Sequence, residues 1–204
     1  MLADPTFMTR IDAQRIGAAG FSLGGYTVIA TAGGITSRAH FLEFCASAQA
    51  DASCQPPPEF ADLRAKAKAL ADNDEAYRAA LAEDSRSYRD VRVRAVFAMA
   101  PPLGPAFLPE SLEQIDTPVA IVAGAADAIA PVGSNARSDA AHIPHAELTV
   151  FPGNVGHYVF VVNCTETGRA ALPAACIDAP GVDRDAIHAG TVRLAEAFFA
   201  RHLQ

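Results

Sequence analysis

Residues 15–25 read Arg15-Ile16-Gly17-Ala18-Ala19-Gly20-Phe21-Ser22-Leu23-Gly24-Gly25. The run Arg15 to Ala19 predicts a short buried strand, and the segment after Ser22, from about Leu23 to Ala32, predicts a helix. Between them Gly20-Phe21-Ser22-Leu23-Gly24 has the G-x-S-x-G spacing of a strand-to-helix elbow. A serine on so sharp a turn sits in a strained backbone region. Side chains at Gly20 and Gly24 would collide with the strand or helix, so glycine there lets the Ser22 hydroxyl project above the sheet. The helix starts at the serine, which aims its first amides at charge developing on a nearby oxygen. The rival reading is a glycine-rich turn with an incidental serine. The two separate on whether an acid and a histidine follow at matching stations, in that chain order.

The acid expected is Asp127. It follows the run Thr117-Pro118-Val119-Ala120-Ile121-Val122-Ala123-Gly124, a continuous apolar stretch bounded by proline and glycine, as in a strand buried on both faces. Asp127 falls past its C-terminal end, where open parallel sheets place their crevice, and Pro131 helps to fix that loop. A turn-capping aspartate is the plainer alternative. Asp116 precedes the strand, at the wrong end of the sheet, and Asp139 sits inside a polar helical stretch. The histidine expected is His157, in the loop after Leu148-Thr149-Val150-Phe151. His142 and His145 precede that strand, His188 and His202 fall on the terminal helix, and His40 follows the first helix.

With these residues in place the chain resembles the α/β-hydrolase superfamily. More narrowly, it is similar to the serine-containing branch labelled predicted dienelactone hydrolases, related to platelet-activating-factor acetylhydrolases. The resembling stretches are Ile11 to Gly17 with the elbow through Gly25, Gly124 to Pro131, Gly156-His157-Tyr158-Val159-Phe160, and Asp183 to His188. Together they span nearly the whole chain. Dienelactone hydrolases in the strict sense use a cysteine nucleophile, so the subfamily label says little about substrate. The resemblance implies an α/β-hydrolase fold, with a mostly parallel sheet and an ester hydrolase reaction. Ser22, Asp127 and His157 would be catalytic. The Leu23 amide would be an oxyanion donor, and Phe21, Leu103 and Tyr158 would line the acyl or alcohol pocket. A small-molecule ester is the expected substrate, with lactones, thioesters or peptides as alternatives. No cofactor and no metal are expected.

The fold normally sets several strands before the elbow and takes a second oxyanion amide from a loop upstream of it. Here about twenty residues precede Ser22. The expectation is a fold lacking its N-terminal strands, either as a part of a longer hydrolase or as a short form, and a catalytically impaired protein is the competing reading. The elbow strand would then carry an unpaired edge, so a homo-oligomer is expected, with Met1 to Ala13 folding back as the rival.

A chain of 204 residues, half of them hydrophobic, suits one domain. Residues from about 37 to 90 break the strand–helix alternation and read as a helical cap, or else as a solvated hairpin away from the chemistry. Strand character returns over Val91 to Ala100, and a closing helix runs from about Arg184 to His202, its apolar face including Ile187, Val192, Leu194, Ala195, Phe198 and Phe199. The net charge of −7 argues against a nucleic-acid partner. No apolar run approaches a membrane span. Cys45 with Cys54 and Cys164 with Cys176 are local pairs that proximity favours as disulfides, although four cysteines allow three connectivities. Such bridges favour a periplasmic or secreted setting; buried reduced thiols are the alternative.

Overall fold

The computed structural model describes residues 4–57 and 60–204. Strands β1 (Ile16–Phe21), β2 (Val93–Met99), β3 (Val119–Gly124) and β4 (Glu147–Phe151) form a parallel sheet in the order β1-β2-β3-β4. The helices are α1 (Leu23–Ala32), α2 (Arg38–Ala46), α3 (Leu63–Asn73), α4 (Glu75–Ala82), α5 (Pro109–Leu112), α6 (Ala136–His142), α7 (Glu166–Ala171), α8 (Pro173–Cys176) and α9 (Arg184–His202). The architecture is α/β, as the sequence led us to expect.

Strand order follows chain order, so right-handed crossovers carry their helices to one face of the sheet. The core divides accordingly. Val96, Ala98, Ile121 and Ala123 pack with Val28 and Ile29 of α1 and Ala136 of α6. The alternate residues Ala95, Phe97, Ala120 and Val122 face the other way, against Phe198 of α9. This period of two on strands buried on both faces explains why β2 and β3 read as continuous apolar runs. Helix α9 starts on an Asp183 cap, whose side chain accepts from the Ala186 amide. Its buried stripe runs through Thr191 and Phe198, with Leu194, Ala195 and Phe199 packed beside it. Val192, expected on that stripe, is 54% exposed; it lies next to Thr191 on the helix and so points roughly a quarter-turn away.

Strand β1 pairs with β2 alone among the described residues, and residues 4–13 add no strand to its outer edge. Within the 37–90 segment α3 and α4 follow each other directly, broken where Asp74 caps the second by accepting from the Tyr77 amide. Neither helix carries a buried residue. The rest of the 37–90 segment is anchored more firmly. Disulfide Cys45–Cys54 closes its first loop, and Asp51 and Ser53 in that loop bond to Ser134 and Asn135 after β3. Cys164–Cys176 forms the second bridge, so both local pairings occur. Among the described residues no helix is long and apolar enough to cross a membrane.

Candidate active site

Strand β1 delivers Ser22 to the C-terminal edge of the sheet. The serine has φ 54° and ψ −123°, a conformation that costs a side-chain-bearing residue on the order of 1–3 kcal/mol. Its neighbours hold it there. The Ser22 amide donates to the Met99 carbonyl at 2.9 Å, and its carbonyl accepts from the Tyr26 amide at 3.0 Å. A methyl group on Gly20 would overlap the backbone of Gly24, and one on Gly25 would come within 3.0 Å of the Met99 carbonyl oxygen. Gly24 itself has open space around its α-carbon. The steric need for glycine therefore falls on Gly20 and Gly25, whereas the sequence pattern assigned it to Gly20 and Gly24.

Asp127 and His157 reach the serine from the ends of β3 and β4. Their two loops lie against each other. The Ala125 amide donates to the Phe151 carbonyl and the Ala126 amide to the Val155 carbonyl, both at 2.9 Å. This approach requires Gly124, since a side chain there would overlap the Val155 carbonyl. Asp127 then accepts three hydrogen bonds. Oδ1 takes the amides of Ile129 at 2.9 Å and Ala130 at 2.7 Å, and Oδ2 takes His157 Nδ1 at 2.7 Å. The carboxylate is fully buried and the imidazole nearly so, yet every charged oxygen has a partner.

An ionised carboxylate can only accept, so the proton of neutral His157 sits on Nδ1 and the Nε2 lone pair is left open. Ser22 Oγ lies 2.8 Å from Nε2 and donates to it. The imidazole is packed between two rings, Phe21 at 5.1 Å and Tyr158 edge-on at 5.2 Å, and Phe160 backs Phe21 at 6.1 Å. The serine, histidine and aspartate named from the sequence are thus joined in one hydrogen-bonded chain. The other histidines lie elsewhere; His188, for instance, bonds the Val159 carbonyl through Nε2 at 2.7 Å.

Leu23 is the first residue of α1, so its amide has no intrahelical acceptor. A cavity of about 260 Å³ opens beside His157 and Tyr158, with Ile177 and Asp178 on its far wall. Tyr158 borders it. Phe21 and Leu103 do not: Phe21 is taken up by the imidazole, and Leu103 adopts a left-handed turn after β2 with φ 62°. None of the described residues lining this cavity comes from the 37–90 segment.

Two buried polar residues escaped the sequence reading. Asn135 is fully buried; its side chain accepts from the Gly104 amide at 2.9 Å and donates to Ser53 Oγ and the Pro131 carbonyl, each at 2.9 Å. Asp139 was expected in a polar helix, but its residue is fully buried and its carboxyl oxygens have no hydrogen-bond partner among the described residues. Burial alone pushes its pKa well above the ordinary carboxylate range. The run Ala136-Arg137-Ser138-Asp139 is too short and polar to signal a buried position.

No protein-family model and no curated protein matches the sequence. Among solved structures, the chain is similar to a hydrolase from Pseudomonas aeruginosa (TM-score 0.34, 20% identity), covering 83% of this chain and 64% of that one. It is also similar to the 2-hydroxy-6-oxo-6-phenylhexa-2,4-dienoate hydrolase of a Rhodococcus strain (TM-score 0.32, 17% identity), covering 79% of this chain and 64% of that one. The chain spans under two thirds of the length of each. Any functional reading rests on the geometry of the site itself.

Proposed function

We propose that this protein is a serine hydrolase of the α/β-hydrolase superfamily that cleaves small carboxylic esters through an acyl-enzyme. The observation that carries the reading is the chain Ser22 Oγ, His157 Nε2, His157 Nδ1, Asp127 Oδ2, with links of 2.8 and 2.7 Å, set on a backbone turn with positive φ. Ser22 Oγ attacks the ester carbonyl carbon as its proton passes to His157 Nε2. The imidazolium formed is stabilised by Asp127, which stays ionised. The oxyanion lies near the start of α1, where the Leu23 amide is one donor. Collapse breaks the bond to the alkoxy oxygen, which takes the proton from Nε2, and the alcohol departs. Water then attacks the acyl-serine with His157 as base, releasing the acid and restoring Ser22.

An impaired hydrolase is the second reading: among the described residues no strand pairs the outer edge of β1, the side from which this fold normally brings its other oxyanion donor. Lactones and thioesters would be opened by the same steps. We also propose that the β1 edge is covered by a second copy of the chain.

Hydrolysis of p-nitrophenyl butyrate, measured beside Ser22→Ala, tests the function. The expected loss is on the order of 10⁶-fold in kcat, with the variant still folded. Equal slow rates in both proteins would favour the impaired reading.

A further inference from the structure

We infer that the segment from Cys164 to Ala179 forms a leaving-group subsite for small, uncharged alcohols; this deepens the esterase reading and rests on it. The cavity beside His157 has one wall made of Ala174, Ile177, Asp178 and Ala179, and His157 and Tyr158 stand opposite. Ser22 is not among its lining residues. A group held there lies on the histidine side of the scissile bond, where the departing alcohol collects its proton. The acyl group stays with the serine. At about 260 Å³ the space falls just below the ~300–1,000 Å³ of sites for drug-sized ligands, a size that suits a small alcohol.

The wall is built to hold its shape. Cys164–Cys176 closes α7 and α8 into one loop. Arg184, at the start of α9 and only 8% exposed, clasps that loop from behind. Its Nε and Nη2 take both oxygens of Asp178, at 2.7 and 2.9 Å. Its remaining donors reach the carbonyls of Val161, Val162 and Ala175, at 3.2, 3.3 and 3.0 Å. One buried guanidinium thus fixes the chain before, within and after the bridge.

The same pair sets the charge preference. Asp178 is the one carboxylate on the described wall, and Arg184 already compensates it, so a cationic alcohol would gain little. An anionic alcohol would meet a protein of net charge −7. Ile177 is 61% exposed and adds apolar surface to this wall. A neutral alcohol of a few carbons fits these conditions.

The test compares wild type with Ala174→Leu and Ala179→Leu. Both alanines are exposed, so the larger side chains fill the cavity and leave the core intact, which an unchanged Tm verifies. One ester series holds the acyl group at butyrate and lengthens the alcohol from methyl to hexyl. A second holds methanol and lengthens the acid. The variants are expected to lose about tenfold or more in kcat/KM on the longer alcohols relative to methyl butyrate, with the rank order of the acyl series kept. Selectivity that shifts along the acyl series, or along neither, overturns the subsite while leaving the esterase reading standing. Absence of hydrolysis by wild type across both series overturns the esterase reading, and this inference with it.

Discussion

At the scale of single residues, Ser22 and Asp139 carry unfavourable terms of different kinds. Ser22 holds a positive φ between backbone hydrogen bonds to Met99 and Tyr26, and its hydroxyl points at His157. Asp139 buries a carboxyl that has no hydrogen bond among the described residues, and burial favours its neutral form. Its folded pKa lies above the unfolded value near 3.8. In the interval between them the native state binds a proton that the unfolded state has released, so stability declines as pH rises. Asp139→Asn keeps the shape and removes the ionisation. The variant is expected to match wild type near pH 4 and to exceed it increasingly above, by up to about 1.4 kcal/mol per pH unit until the folded group ionises. Urea unfolding of both proteins from pH 4 to 8 checks this. A wild type that gains stability relative to the variant over that range would contradict it.

At the scale of elements, the strand-to-helix turn was legible because glycine spacing and apolar runs are local signals. The sequence bounds for α1 and α9 coincide with the structure, since each is framed by capping or turn residues. What escaped was non-local. The Arg184–Asp178 clasp spans an irregular loop that no periodicity describes. The exchange of Gly24 for Gly25 as the crowded glycine depends on how β2 passes beneath α1. Asp127 and His157 could be named because each follows a recognisable strand, whereas the packing of Phe21 on the imidazole depends on tertiary placement that no local pattern signals. Helix α9 provides a measurable element. Phe198 is 1% exposed and packs on Phe97 and Phe199, with centroids at 6.2 and 5.5 Å. Phe198→Ala is expected to lower stability by about 3–5 kcal/mol, read by urea unfolding. A loss below 1 kcal/mol would show that α9 does not close the second face of the sheet.

At the scale of the whole molecule, two features remain to be tied together: the edge of β1 and the site that β1 carries. An uncovered edge beside an apolar sheet invites pairing with another chain. Its residues Gly17 and Ala19 are exposed and uncharged. We expect light scattering at micromolar concentration to report a homo-oligomer, with a two-fold dimer the simplest form. A stable monomer would overturn that expectation without touching the chemistry at Ser22. The chemistry is tested directly by a serine-reactive fluorophosphonate, because such a reagent needs an activated hydroxyl but neither a leaving-group subsite nor a preferred ester. After reaction with folded protein, peptide mass analysis should find one adduct, on Ser22, and no adduct when His157→Ala is treated alike. Labelling at another serine, or none on the folded wild type, would contradict the account.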